Sequence, residues 1–398
     1  MSFGLEHDRW AGGAVCRPAR WMLGLSLATG LGLAPGAGQA ATNAPRWQVP
    51  GVIYYCDTNP RIPLAVHVVK IDRAQKDLEL HTTLGGQNQI GMTVLSQQAR
   101  SIKPQLGQAV AAINGDYYYV ERPFVGDPMN LQILHGGELV SGPGEDRAFF
   151  CLDAKGEPHI TTAVEAFTVT WPNGKTMPIG LNEIPTKGQA VLYTRAAGPS
   201  TRIDGVDLIL ARNGDAPWLP LRLGQRLTAK VQQVNEQGYS RLGPDSMVLS
   251  LDPRTVRQLP PLTPGMVLKI SMATTPDLSG ATLAIGGGPS LVRGGKARGA
   301  REFSGWQTRH PRSAMGWNDK YYYFVQADGR QPRYSMGMTL AELANYFVKL
   351  NCAHAINLDG GGSCTTWIAG NIVNSPSQGR ERPSANALVL VRKNKTGN

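Results

Sequence analysis

The stretch Ala355-Ile356-Asn357-Leu358-Asp359-Gly360-Gly361-Gly362-Ser363-Cys364-Thr365-Thr366 decides the reading of the chain. Residues 355–358 read as a short buried strand that ends on the carboxylate of Asp359. Three glycines follow, and glycine tolerates backbone angles and close approaches that other residues avoid. The result is bare backbone beside an acid, where a ligand can come close. A plain strand-to-strand turn has the same signature, since glycine commonly marks turns. Recurrence separates the two readings. Residues 111–113 end on Asn114-Gly115-Asp116, 321–327 on Asp328-Gly329-Arg330, and 283–285 on Gly286-Gly287-Gly288-Pro289. Functional groups concentrate on loops held by a rigid scaffold, so the four strand ends are expected to converge on one pocket.

Working outward, the 398 residues suffice for a substantial core, and 41% hydrophobic with 17% charged residues is a globular composition. The counts of Gly (47) and Pro (28) predict many turns and short strands. The first forty residues read as a signal peptide. Arg17 and Arg20 precede the apolar 21–33 and the small-residue run Gly36-Ala37-Gly38-Gln39-Ala40-Ala41. The apolar part is shorter than the ~20 residues of a membrane-spanning helix, so no stable span is expected after cleavage, and the protein is expected in the periplasm or secreted. A net charge of +11 is spread along the chain rather than blocked. With no zinc-finger or RNA-binding signature, it does not mark a nucleic-acid binder.

Four cysteines follow the leader: Cys56, Cys151, Cys352 and Cys364. Export permits disulfides, and four cysteines allow three pairings. A strand rise of ~3.3 Å per residue separates Cys352 from Cys364 across the Asp359 strand, which disfavours that bond. A Cys56–Cys151 bond is the expectation. The histidines are widely spread and no Cys-x-x-Cys occurs, so no metal site is expected, and no cofactor is implied.

Short alternating strands dominate the chain order: 51–56, 64–68, 78–80, 109–113, and hairpins around His135-Gly136-Gly137 and 153–156. Thr93 is placed to cap a short helix over 94–101. Residues 156–280 change to β-rich segments punctuated by Gly, Pro, Asn and Asp and read as an insertion within a domain spanning 41–398. Thr339 and Glu342 have capping-box spacing, and Leu340, Leu343, Ala344, Phe347 and Val348 give the following helix one apolar face. The fold class is α+β, a mixed twisted sheet with few helices.

Two arginine-bearing loops join the glycine turns: His310-Pro311-Arg312-Ser313-Ala314-Met315-Gly316 and Gly379-Arg380-Glu381-Arg382-Pro383-Ser384-Ala385-Asn386. The guanidinium fork matches phosphate oxygens. Taken with Asp328-Gly329-Arg330-Gln331-Pro332, Tyr334-Ser335-Met336-Gly337-Met338-Thr339-Leu340 and 357–363, these motifs closely resemble the phosphodiester glycosidase family. That family includes N-acetylglucosamine-1-phosphodiester α-N-acetylglucosaminidases and many exopolysaccharide-related bacterial proteins. The resemblance covers about 50–398 and is strongest from 281 on. Asp116-Tyr117-Tyr118 stands where members often carry Gly and two Phe, and Cys364 where Ser or Thr is common.

The resemblance implies a hydrolase that cleaves a sugar-1-phosphodiester in an envelope or extracellular glycan, so the expected partner is a carbohydrate phosphate. Such cleavage passes through an oxocarbenium-like state, and its chief need is cations on the departing phosphate. Arg312, Arg330 and Arg382 are the candidates. Asp359 and Glu381 are the first choices for nucleophile or water-activating base, with Asp116 and Asp328 behind them. The backbone N–H groups of Gly360, Gly361, Gly362 and Ser363 are placed to cradle phosphate. Asn114, Gly287, Gly288, Ser335 and Asn386 join them as substrate-binding candidates from the matching motifs. Two alternatives stay open: a non-catalytic polysaccharide binder on the same scaffold, and a phosphodiesterase cutting P–O. A serine-hydrolase elbow and a P-loop are absent by pattern, and the oligomeric state is left open.

Overall fold

The computed structural model describes residues 46–394 except 60, 122, 216–217 and 304–306. The expected signal peptide lies outside the described residues. Strands far outnumber helices, and they form four sheets.

Sheet I runs Trp47–Val49, Val52–Asn59, Leu64–Asp72, Tyr321–Ala327, Arg312–Trp317, His354–Asn357, Ser290–Arg293, Lys296–Ala297. Its central strands are buried on both faces, which is why 355–358 and 321–327 read as continuous apolar runs rather than alternations. One face carries the helix Leu340–Lys349, whose Leu343 and Phe347 pack with Val68, Ala314, Val325 and Ala355. That helix opens with the expected capping box, Thr339 Oγ1 accepting from Glu342 N and Glu342 Oε2 from Thr339 N.

The other face of sheet I packs through Val69, Met315 and Ile356 onto sheets II and III, which contribute Ile113 and Leu388, and Phe150 and Ile285. Sheet II runs Asn371–Ile372, Thr366–Ile368, Gln108–Asn114, Asn386–Arg392, Leu78–Leu84. Sheet III runs Glu138–Ser141, Gln132–Leu134, Leu283–Gly286, Phe149–Leu152, Pro158–Thr161. Residues 164–275 supply the strands of sheet IV, which shares a core with sheet III through Ile133, Phe149, Phe167, Leu192 and Leu249.

Three expectations need correction. The core sheet is not mixed: among the described strands every pairing is antiparallel except Gly180–Leu181 with Ala190–Tyr193. Thr93 does not cap the helix Leu95–Arg100. Val94 occupies the N-cap without a side-chain bond, and Thr93 Oγ1 turns to Gln97 Oε1. Cys56 and Cys151 are not bonded. Cys56 faces His67 across sheet I, Cys151 faces Ala284 within sheet III, and the four cysteines among the described residues are thiols. Burial pushes the Cys151 thiol up to about 12, so it packs as a small apolar group.

Candidate active site

Three glycine-flanked strand ends are knitted directly together. Asn114, at the end of Gln108–Asn114, donates from Nδ2 to the backbone oxygen of Asp359 at 2.8 Å. Its Oδ1 accepts from Ser313 Oγ at 2.7 Å and from Thr365 N at 3.2 Å. Asp359 N returns a bond to Gly115 O at 2.8 Å. Asn357, a polar residue inside an apolar strand, donates to Gly288 O at 3.0 Å and to the Tyr117 hydroxyl at 2.8 Å. Such crossed bonds hold Asp359 by its backbone and leave its carboxyl to the site. Gly287 admits no side chain, because a Cβ would sit 2.5 Å from Asn357 O.

The turn after Asp359 is surrounded by guanidinium groups. A Cβ on Gly360 would lie 3.9 Å from Arg312 Nη1, one on Gly361 3.2 Å from Arg330 Nη2, and one on Gly362 3.2 Å from Arg382 Nη1. Gly361 also has φ +61, a left-handed conformation that suits glycine. Arg382 Nη2 donates to Ser363 Oγ at 2.6 Å and stands 3.5 Å from Asp359 Oδ2. Arg312 is 3% exposed and anchored by bonds to Met338 O and Thr308 O, so its charge is held in a fixed place. Arg330 reaches the turn from the fourth strand end. Burial, then the charges of Arg330 and Arg312, hold His310 below its ordinary range, so it adds no cation near neutral pH.

Asp116 and Asp359 are close enough to act on one another electrostatically, and their surroundings differ. Asp116 is fully buried, Oδ1 accepting from Tyr117 N at 2.8 Å while Oδ2 has no hydrogen-bond partner. Burial raises its carboxyl well above the ordinary range, and the Asp359 charge adds to this against the pull of Arg147. Burial also raises Asp359, but Ser363, Arg382 and the Gly360 N–H oppose the rise. Both carboxyls are thus held above their ordinary range, and Asp359 is the one whose neighbouring donors and guanidinium pull back against the rise.

Several candidates have other duties. Glu381 accepts from Ser96 N at 2.9 Å and Ser96 Oγ at 2.7 Å, so its carboxylate satisfies the start of the helix Leu95–Arg100 that Val94 leaves uncapped. It is not the base. Burial works to raise Asp328, but bonds from His67 (2.9 Å), Gln326 (3.0 Å) and Ser375 N (3.0 Å) hold it below its ordinary range. Donors from four residues thus occupy this carboxylate. Ser335 Oγ is spent on Asp328 O and Ala65 N. Asn386 accepts from Asp116 N at 2.7 Å and donates to Gln132 at 2.8 Å, which positions Asp116.

Asn357 and Tyr117 stand in the motifs read from the sequence without being singled out as site residues, and Gln378 stands just before one. Gln378 lies 3.3 Å from a Cβ on Gly362, and Tyr117 sits under the Arg147 guanidinium at 5.5 Å. The usable signal was Asn357, the one polar residue in 355–358.

Comparison with known proteins covers the same region. The phosphodiester glycosidase family model matches residues 226–391. The SPbeta prophage-derived uncharacterized protein YomE of Bacillus subtilis (strain 168) is 35% identical over 104 residues, which span 25% of this chain and 16% of that protein. A hypothetical protein from Synechocystis superposes with a TM-score of 0.67 at 19% identity, over 86% of this chain and 62% of that one. A Burkholderia pseudomallei K96243 protein described as exported superposes with a TM-score of 0.62 at 21% identity, over 82% and 74%. At those identities the two structures establish shared fold. The motif-bearing C-terminal part, with most of the arginines and carboxyls just described, thus falls within a stretch, residues 226–391, that matches the phosphodiester glycosidase family.

Proposed function

We propose that the protein is a hydrolase that cleaves the C1–O–P linkage of a sugar-1-phosphodiester in an extracytoplasmic glycan or glycoconjugate. The observation that carries this reading is the set of three guanidinium groups around a three-glycine turn beside Asp359. A phosphodiester enters with one negative charge and departs from C1 as a monoester approaching two. Fixed cations at the departing phosphate stabilise the transition state more than the ground state, which is the condition for rate enhancement.

Arg312, Arg330 and Arg382 hold the phosphate, and the N–H groups of the glycine turn add donors. Asp359 acts at the anomeric carbon, as nucleophile or as base on a water. Asp116 is buried next to this site and acts on it electrostatically through Asp359. The phosphate monoester leaves without a strong acid. Export is supported by the leader-like sequence and by the neighbour described as exported. Among the described residues no helix is long and apolar enough to cross a membrane.

The test is turnover of a sugar-1-phosphodiester in heavy-oxygen water. Label in the sugar supports C–O cleavage. Label in the phosphate would convert the reading to a phosphodiesterase, and binding without turnover would leave a glycan-binding protein.

A further inference from the structure

A second cluster lies at the far end of sheet II. Glu79 and His81 alternate on the strand Leu78–Leu84, so both project from the same face. His135 comes from the turn between Gln132–Leu134 and Glu138–Ser141 of sheet III. The donor atoms of the three residues lie within 4.8 Å of one another. Glu79 Oε2 is 3.3 Å from His135 Nε2 and 3.8 Å from His81 Nε2. His81 is 2% exposed, and its Nε2 is buried without a hydrogen-bond partner. An orphaned buried ring nitrogen aimed at a carboxylate and a second imidazole asks for an occupant.

We propose that Glu79, His81 and His135 bind a Zn²⁺ ion that ties the sheet III turn to sheet II. Zinc takes imidazole nitrogen and carboxylate oxygen at ~2.0–2.2 Å in tetrahedral geometry, which sets donors ~3.3–3.5 Å apart. The observed separations are close to that spacing. The two imidazoles stack with centroids 3.7 Å apart and planes 12° from parallel. His135 is half-exposed on a glycine-rich turn and swings to bring its lone pair onto the ion, while His81 stays fixed. Solvent completes the fourth position. Lys393 Nζ contacts Glu79 Oε1 at 2.8 Å and keeps the other oxygen turned to the imidazoles. A two-nitrogen, one-carboxylate set favours zinc over the hard cations Mg²⁺ and Ca²⁺, which prefer oxygen.

The site is separate from the active site. Leu84 pairs with Asn386 beside Asp116, whereas Glu79 pairs with Val391, five residues and ~17 Å further along the strand.

The test uses untagged full-length protein, stripped with a chelator and titrated with Zn²⁺ in competition with a chromophoric chelator. One equivalent should bind and raise the melting temperature, with Mg²⁺ and Ca²⁺ producing neither effect. Because His81 is buried, His135→Ala and Glu79→Gln carry the test. Each should weaken binding by more than ~100-fold, beyond the cost of losing an outer-shell partner, and abolish the zinc-dependent rise in melting temperature. Absence of stoichiometric binding by the wild type, or unchanged affinity in both variants, would overturn the proposal. Neither result depends on sugar-phosphodiester turnover.

Discussion

Arg382→Ala tests the proposed chemistry most directly. Unlike Arg312, Arg382 is not buried under backbone carbonyls, so its loss leaves the fold in place. Its side chain is 39% exposed and stands 3.5 Å from Asp359 Oδ2. A unit charge pair ~4 Å apart is worth ~4 kcal/mol at an effective dielectric of ~20 and ~1 kcal/mol in water. Partial exposure places Arg382 in the lower half of that range, at about 2 kcal/mol. The leaving group gains about one charge during cleavage, so that energy acts mainly on the transition state. It corresponds to about a 30-fold loss in kcat, shared by kcat/KM. On an aryl glycoside of the same sugar no phosphate departs, and the loss should be only a fewfold. Arg382→Lys should recover part of the activity, since it restores charge without the planar fork. Removing Arg382 also lifts one of the influences that oppose the rise of the Asp359 carboxyl. The acid limb of the kcat/KM profile should therefore move to higher pH. Steady-state kinetics on both substrates across pH decides the matter. Equal losses on phosphodiester and aryl glycoside would refute the phosphate role.

Asp359→Asn should abolish turnover, by at least ~1,000-fold, in a protein with wild-type melting behaviour; appreciable activity in the soluble variant would remove Asp359 from the chemistry. Asp116 has a folded-state pKa above its unfolded value, so its stabilisation is fully present below the unfolded pKa and declines as pH rises toward the folded one. Asp116→Asn should accordingly flatten the fall in melting temperature between acidic and alkaline pH, as read by calorimetry at a series of pH values, while lowering activity. Glu381→Gln weakens the acceptor at the start of the helix Leu95–Arg100 and should cost ~1 kcal/mol of stability with kcat within a fewfold of wild type. A loss of activity comparable to that of Asp359→Asn would restore Glu381 as a base.

Local chemistry made much of this legible in the sequence. The capping box of Thr339 and Glu342 involves residues three apart, and the strands ending at Asn114, Gly286, Ala327 and Asn357 are continuous apolar runs punctuated by glycine. What stayed hidden depends on partners far apart in the chain. Glu381 looked like a base because its partner Ser96 lies 285 residues away. Asp328 looked available because most of the bonds that occupy it come from 67, 374 and 375. Glu79 and His81 meet His135 only because sheets II and III come together, and no spacing rule reaches across that gap.

The way residues 164–275 enter and leave the rest of the molecule has a consequence for how the chain can vary. They depart after Phe149–Leu152 and Pro158–Thr161 and return at Leu283–Gly286, and the first and last of these strands are hydrogen-bonded neighbours, Leu152 opposite Leu283. A module spliced in between adjoining strands can be exchanged or resized without severing any ladder that carries Asp116, Asp359 or the arginines. Outright deletion is another matter, because Ile133, Phe149 and Cys151 share its core and would be bared to water. Substitution of one module for another, rather than its loss, is the change this architecture tolerates, and it leaves the glycine turns as they are.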